Sequence, residues 1–129
     1  MKKDKYLNAR GGTAKIINVS CSNCQKVLFV YQKDGPGWLK RCYLNRIISP
    51  DKYSKLQKDK SLKKESDLSN LICECGNVLG SPMKYKDGRL AFQLIRGKFN
   101  RSNNKSDEFN WFYLSFLRFK KKFLLFYLW

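Results

Sequence analysis

A chain of 129 residues with 27 Lys or Arg against 10 Asp or Glu carries a formal charge of +17 and contains no histidine. The length is one domain's worth of chain. The missing histidine excludes the Ser/His/Asp and Cys/His nucleophile schemes and every mixed Cys/His zinc site. The charge excess favours polyanionic partners, nucleic acid ahead of an anionic membrane surface, although a solvated basic surface with no partner would carry it too.

Residues 1–12, "MKKDKYLNARGG", are basic with no apolar run behind them. They predict an N-terminal arm without a secretory signal, hence a cytoplasmic protein. In a reducing cytosol the five cysteines favour metal over disulfides. "TAKIINVS" (13–20) and "KVLFVYQK" (26–33) are apolar runs of strand length on either side of Cys21 and Cys24. "DGPG" (34–37) breaks the chain. In "WLKRCYLNRIIS" (38–49), Leu39, Cys42, Tyr43 and Ile47 fall at helical spacing, which predicts a helix. Ser49 and Pro50 offer a restart as cap and first position. The charged stretch 52–69 predicts a short helix fading into a mobile linker. "LICECGNVLG" (71–80) holds the second cysteine pair, Cys73 and Cys75. Asp87-Gly88 between "MKYK" and "RLAFQLI" predicts a two-residue hairpin, and the polar 100–108 a linker closing the body.

Zinc takes four ligands tetrahedrally, and an all-thiolate site is normally structural. The spacing of Cys21 and Cys24 lets two sulfurs face one ion. Cys73 and Cys75 supply the other two, and Gly76 permits the positive φ a metal knuckle wants. A small core of this kind needs such a staple. Cys42 reads most simply as a buried small hydrophobe, with replacement of Cys73 as ligand the alternative. Strand contexts around both pairs favour Zn²⁺ over an iron–sulfur cluster, though composition leaves iron open.

"CSNC" with "CECG", each feeding strands, resembles the zinc-ribbon group over roughly residues 13–99. Two features depart from the usual pattern. Ile72 stands where the first Cys of a second Cys-x-x-Cys would be, and residues 38–69 must be an insertion. The implied architecture is a small zinc-stabilised α+β domain: zinc-ribbon-like antiparallel β-hairpins with a helical insertion between the two Cys pairs. Zinc ribbons recur in ribosomal proteins, transcription factors, RNA polymerase subunits and RNA-processing proteins, so the resemblance implies a nucleic-acid setting without fixing a target.

Two stretches are candidate RNA contacts. The Gly-Pro-Gly turn, read as opening a helix, would gather free amide N–H groups near Lys33, Lys40, Arg41 and Arg46, with Trp38 stacking on a base. Lys84, Lys86 and Arg89 surround the hairpin tip. Ordinary packing of Trp38 and ordinary solvation of the hairpin are the alternatives. In the tail 109–129, phenylalanines recur at a heptad spacing. Arg118 and Lys120–Lys122 near its centre argue against a transmembrane span. A helix docking on a protein partner or lying on a membrane surface fits better; translation beyond a natural stop or frame is the plain alternative. The function expected is a structural-zinc module that binds RNA, ribosome- or transcription-associated. A zinc-stabilised adaptor docking through the tail is the alternative. Without His or a convincing carboxylate pair, no enzyme is expected.

Overall fold

A computed structural model describes residues 1–104; the tail prediction for 109–129 lies outside the described residues. The chain forms α1 (Lys5–Ala9), β1 (Ala14–Cys21), β2 (Val27–Asp34), β3 (Arg41–Tyr43), β4 (Ile47–Ser49), α2 (Asp51–Ser54), β5 (Leu71–Ile72), β6 (Val78–Lys84), β7 (Leu90–Leu94) and β8 (Phe99–Asn103). These strands make two antiparallel four-stranded sheets, ordered β4-β2-β1-β8 and β3-β7-β6-β5.

The expected α+β fold with a helical insertion is overturned, because residues 38–49 cross from one sheet to the other as strand, single 3₁₀ turn and strand. The reason lies in the burial. Cys42, Leu44 and Arg46 are buried while Arg41, Tyr43 and Asn45 are partly exposed, an alternation that fits extended chain. Arg46, only 1% exposed, hides that alternation from a reading that treats arginine as a surface residue. Its Nε donates to Asp34 Oδ2 at 2.7 Å, and its Nη1 and Nη2 donate to Asp4 Oδ2 and Oδ1 at 2.9 and 2.5 Å.

That triad also fastens the N-terminal arm, residues 1–12, to the body through Asp4. Asp4 caps α1 by accepting from the N–H groups of Tyr6 and Leu7, Leu7 is buried, and Gln32 bonds both backbone groups of Lys2. Residues 52–69 are likewise anchored, with Leu68 in the core and Tyr53, Leu56 and Leu62 against it. Residues 100–103, expected as the start of a linker, instead continue from Phe99 as β8 and pair with β1 from Ile17↔Asn103 to Cys21↔Phe99.

The core lies between the sheets. Ile17, Val19, Phe29, Tyr31 and Ile47 from one meet Cys42, Leu71, Leu79 and Phe92 from the other. In β1 the alternation Ile17, Val19, Cys21 ends its apolar stripe on a cysteine, so the first sulfur arrives at the metal centre as the last inward-facing residue of a strand. The β6–β7 hairpin falls where Asp87-Gly88 predicts it, but with three loop residues. Tyr85 N–H donates to Arg89 O at 2.9 Å, and Gly88 takes φ +91°, the geometry of a turn closed by a glycine bulge.

Candidate metal centre and basic cleft

Each cysteine pair sits on a tight turn built by its neighbours. Cys21 N–H donates to Lys26 O at 2.9 Å and Gln25 N–H to Cys21 O at 3.0 Å; Gln25 adopts φ +67° to close that turn. The second turn is one residue shorter: Cys73 N–H donates to Asn77 O at 2.9 Å and Gly76 N–H to Cys73 O at 2.8 Å, with Gly76 at φ +93°. The shorter turn accommodates Cys-x-Cys in place of Cys-x-x-Cys, because Cys75 reaches the centre without help from position 72. Ile72 instead pairs with Val78 on β5.

All four sulfurs lie within 4.8 Å of one another, and none is in a disulfide. Cys21 and Cys75 approach to 3.5 Å, Cys24 and Cys73 to 3.4 Å. A tetrahedral ion with metal–sulfur bonds of ~2.3 Å holds its sulfurs ~3.8 Å apart, so the four thiols already stand close to the spacing such an ion requires. Donors surround them as they surround metal thiolates. Asn23 N–H and the Asn77 amide approach Cys21 Sγ at 3.3 and 3.2 Å, and the Asn23 amide approaches Cys75 Sγ at 3.5 Å.

Burial pushes the Cys21 thiol up, but donation from the Cys24 N–H, the Asn77 amide and the Asn23 N–H outweighs it and brings the pKa down to about 6. Asn23 and the Asn77 N–H also lower Cys75. At Cys73 the Cys75 N–H favours the thiolate, yet burial and the neighbouring sulfurs hold the thiol up at about 11. The donors thus favour the thiolate at Cys21 and, in direction, at Cys75, whereas burial and the neighbouring sulfurs oppose it at Cys73.

Cys42 lies outside the cluster formed by Cys21, Cys24, Cys73 and Cys75. It is fully buried on β3 opposite Phe92, and burial raises its thiol well above the usual range.

The predicted RNA contacts divide. Arg46 is consumed by Asp4 and Asp34. Lys33 is buried with its Nζ on Gly35 O at 2.7 Å. No helix follows the Gly-Pro-Gly turn, and this turn presents carbonyls to cations, the reverse of an amide nest. Trp38 is 79% exposed, not packed inward. Lys40 is exposed and Arg41 half-buried; both line a cleft of about 510 Å³ together with Arg89. Lys84 and Lys86 are exposed outside that lining.

The cleft owes its form to stacked aromatic rings. Arg89 lies between Tyr6 and Tyr43, 3.7 and 3.8 Å from their ring centres, and its Nε donates to Asp87 at 2.9 Å. Arg41 covers Tyr85 at 4.5 Å, Lys86 approaches the same ring at 5.6 Å, and Tyr85 meets Tyr43 edge-on at 5.7 Å. The tyrosines were missed by sequence reasoning, as were Asn77, Arg96 and Arg101. Only Asn77, directly behind "CECG", carried a positional signal.

Among the described residues no helix is long and apolar enough to cross a membrane. No protein-family model, no characterised protein and no solved structure matches this chain.

Proposed function

We propose that the protein is a structural-zinc module of zinc-ribbon type at its paired knuckles, acting by binding nucleic acid, RNA first, in the cytoplasm and not as an enzyme. The observation that carries the nucleic-acid reading is the convergence of two stretches far apart in sequence, 38–41 and 85–89. Arg41 and Arg89 gather around Tyr43 and Tyr85 on one cleft, with Lys86 near the Tyr85 ring from outside its lining. Guanidinium groups laid on aromatic rings are held flat and in place, and a preorganised cation loses less freedom on meeting a phosphate. A chain charge of +17 supplies long-range attraction to the same partner. Zinc suits four thiolates on two turns, and a fourfold thiolate shell leaves no open position for substrate.

The test measures metal content and RNA affinity on the same preparation. We expect one zinc per chain. RNA affinity should fall linearly on a log–log salt plot, with a slope of about −0.7 per phosphate neutralised on a single strand. Iron in place of zinc would overturn the cofactor assignment; affinity that ignores salt would overturn the nucleic-acid assignment.

A further inference from the structure

Beside the tyrosine–arginine cleft, and sharing residues 37–41 with it, lies a second cleft of about 980 Å³. Among the described residues, four cations line it, Lys40, Arg41, Arg96 and Arg101, and no carboxylate does. Arg96 stands exposed in the turn Ile95–Lys98, closed by Lys98 N–H on Ile95 O at 3.1 Å with Gly97 at φ +86°. Its guanidinium is 5.3 Å from the ring centre of Trp38.

Trp38 is held out of the core by bonds to the loop that precedes it. The three consecutive carbonyls of this loop each accept from a different cation: Gly35 O from Lys33 Nζ at 2.7 Å, Pro36 O from Arg10 Nη2 at 3.2 Å, and Gly37 O from Arg101 Nη1 at 3.4 Å. Arg10 lies so close that a Cβ on Gly35 would fall 2.7 Å from its carbonyl oxygen. These cations crowd one another. Burial, then the charges of Arg101, Arg10 and Lys15, lower Lys33 against the attraction of Asp34. A positive cluster with so little internal compensation favours an anionic partner, and a fixed, exposed indole at its edge offers that partner a stacking face.

We propose that this second cleft seats a single strand of nucleic acid, with one unpaired base stacked on Trp38 and the flanking phosphates on Lys40, Arg96 and Arg101. The proposal rests on the nucleic-acid reading above and adds the form of the ligand and the residues that select it. A duplex keeps its base faces stacked inside, where the indole cannot reach them, whereas every unpaired base has a free face. The described helices, five and four residues long, are too short to read a major groove.

The experiment uses the full zinc-loaded chain and fluorescence anisotropy with three labelled probes: an oligouridine of about 12 nucleotides, an abasic strand of equal length, and a duplex RNA of equal length. The oligouridine should bind at least about tenfold more tightly than the other two. Trp38→Ala should cost the oligouridine about 5- to 150-fold and leave the abasic strand unaffected. Arg96→Gln should reduce the salt slope by about 0.7. Unchanged zinc content and circular dichroism establish that each variant is folded. Equal or better binding of the duplex, or oligouridine affinity indifferent to Trp38→Ala, would overturn this proposal while leaving nucleic-acid binding in place. Failure of all three probes to bind at low salt would overturn both.

Discussion

Replacing Arg46 with Met keeps most of the side chain's apolar stem and removes its guanidinium from between Asp4 and Asp34. Removing one partner of a buried ion pair costs about 3–5 kcal/mol, because the remaining charge stays desolvated. Asp34 is 10% exposed and suffers most of this, while Asp4, 36% exposed, recovers water, so the low end, about 3 kcal/mol, is expected. With a urea slope near 1.5 kcal/mol/M for a small domain, that is a fall of about 2 M in midpoint. The acid limb provides an internal check. Hydrogen bonds from Arg46 hold the Asp4 carboxyl well below the usual carboxylate range, whereas an unfolded Asp titrates near ~3.9. Stability from this pair is therefore complete above the unfolded value and lost as pH falls through the depressed folded one. Arg46→Met should flatten that loss. A midpoint shift under about 0.5 M, with reduced RNA affinity in the folded variant, would return Arg46 to the contact surface and refute the structural role.

Chelation should unfold the domain by circular dichroism, since structural zinc contributes on the order of 10–16 kcal/mol against a net stability of about 5–15 kcal/mol. Ser at any of Cys21, Cys24, Cys73 or Cys75 should lower zinc stoichiometry, whereas Cys42→Ala should keep the full complement and cost about 1–2 kcal/mol of urea stability. Asn77→Ala should weaken zinc about 10- to 100-fold in a competition titration, the usual cost of losing a donor to a metal thiolate. Gly35→Ala forces a side chain onto a backbone at φ +71° against Arg10 and should cost about 1–3 kcal/mol in the same urea assay.

The cysteine cluster was legible because metal chemistry acts through spacing, which the chain displays directly, β1 because its inward residues alternate, and β2 because it is a continuous apolar run of strand length. The helix expected over 38–49 came from counting Leu39, Cys42, Tyr43 and Ile47 as one stripe. The packing decision rests on Arg46, whose partners Asp4 and Asp34 are 42 and 12 residues away, too far for any local pattern to reveal. β8 was illegible for a different reason. "FNRSN" has no apolar period, and it is a strand because β1 offers it a free edge. The hairpin was readable from Asp87-Gly88, yet its third loop residue depended on whether Arg89 would pair with Tyr85, a tertiary outcome. In the contact surface, Trp38 was readable as a candidate, but its exposure follows from carbonyl contacts to Lys33, Arg10 and Arg101 spread across the chain.

The metal centre and the second cleft are joined by specific bonds. The Asn77 amide that approaches Cys21 Sγ also donates to Lys98 O at 2.8 Å. Ser22, inside the first turn, donates through its N–H to the same oxygen at 3.2 Å and through Oγ to Gly97 O at 3.0 Å. Both cysteine turns thus grip Ile95–Lys98, the turn that carries Arg96, and Cys21 itself pairs in register with Phe99 at the start of the strand that carries Arg101. An ion that holds the four sulfurs together would fix the position of Arg96 and Arg101, the two cations proposed to meet phosphate. Coupling of this kind is reciprocal in free energy. A strand held by Arg96 and Arg101 should slow zinc loss to a chelator by restraining the same turn, while the abasic and indole-free controls separate that restraint from simple charge. Removing the two side-chain bonds together with Ser22→Ala and Asn77→Ala, which leaves the Ser22 N–H bond to Lys98 O in place, should weaken the coupling of metal retention to strand binding.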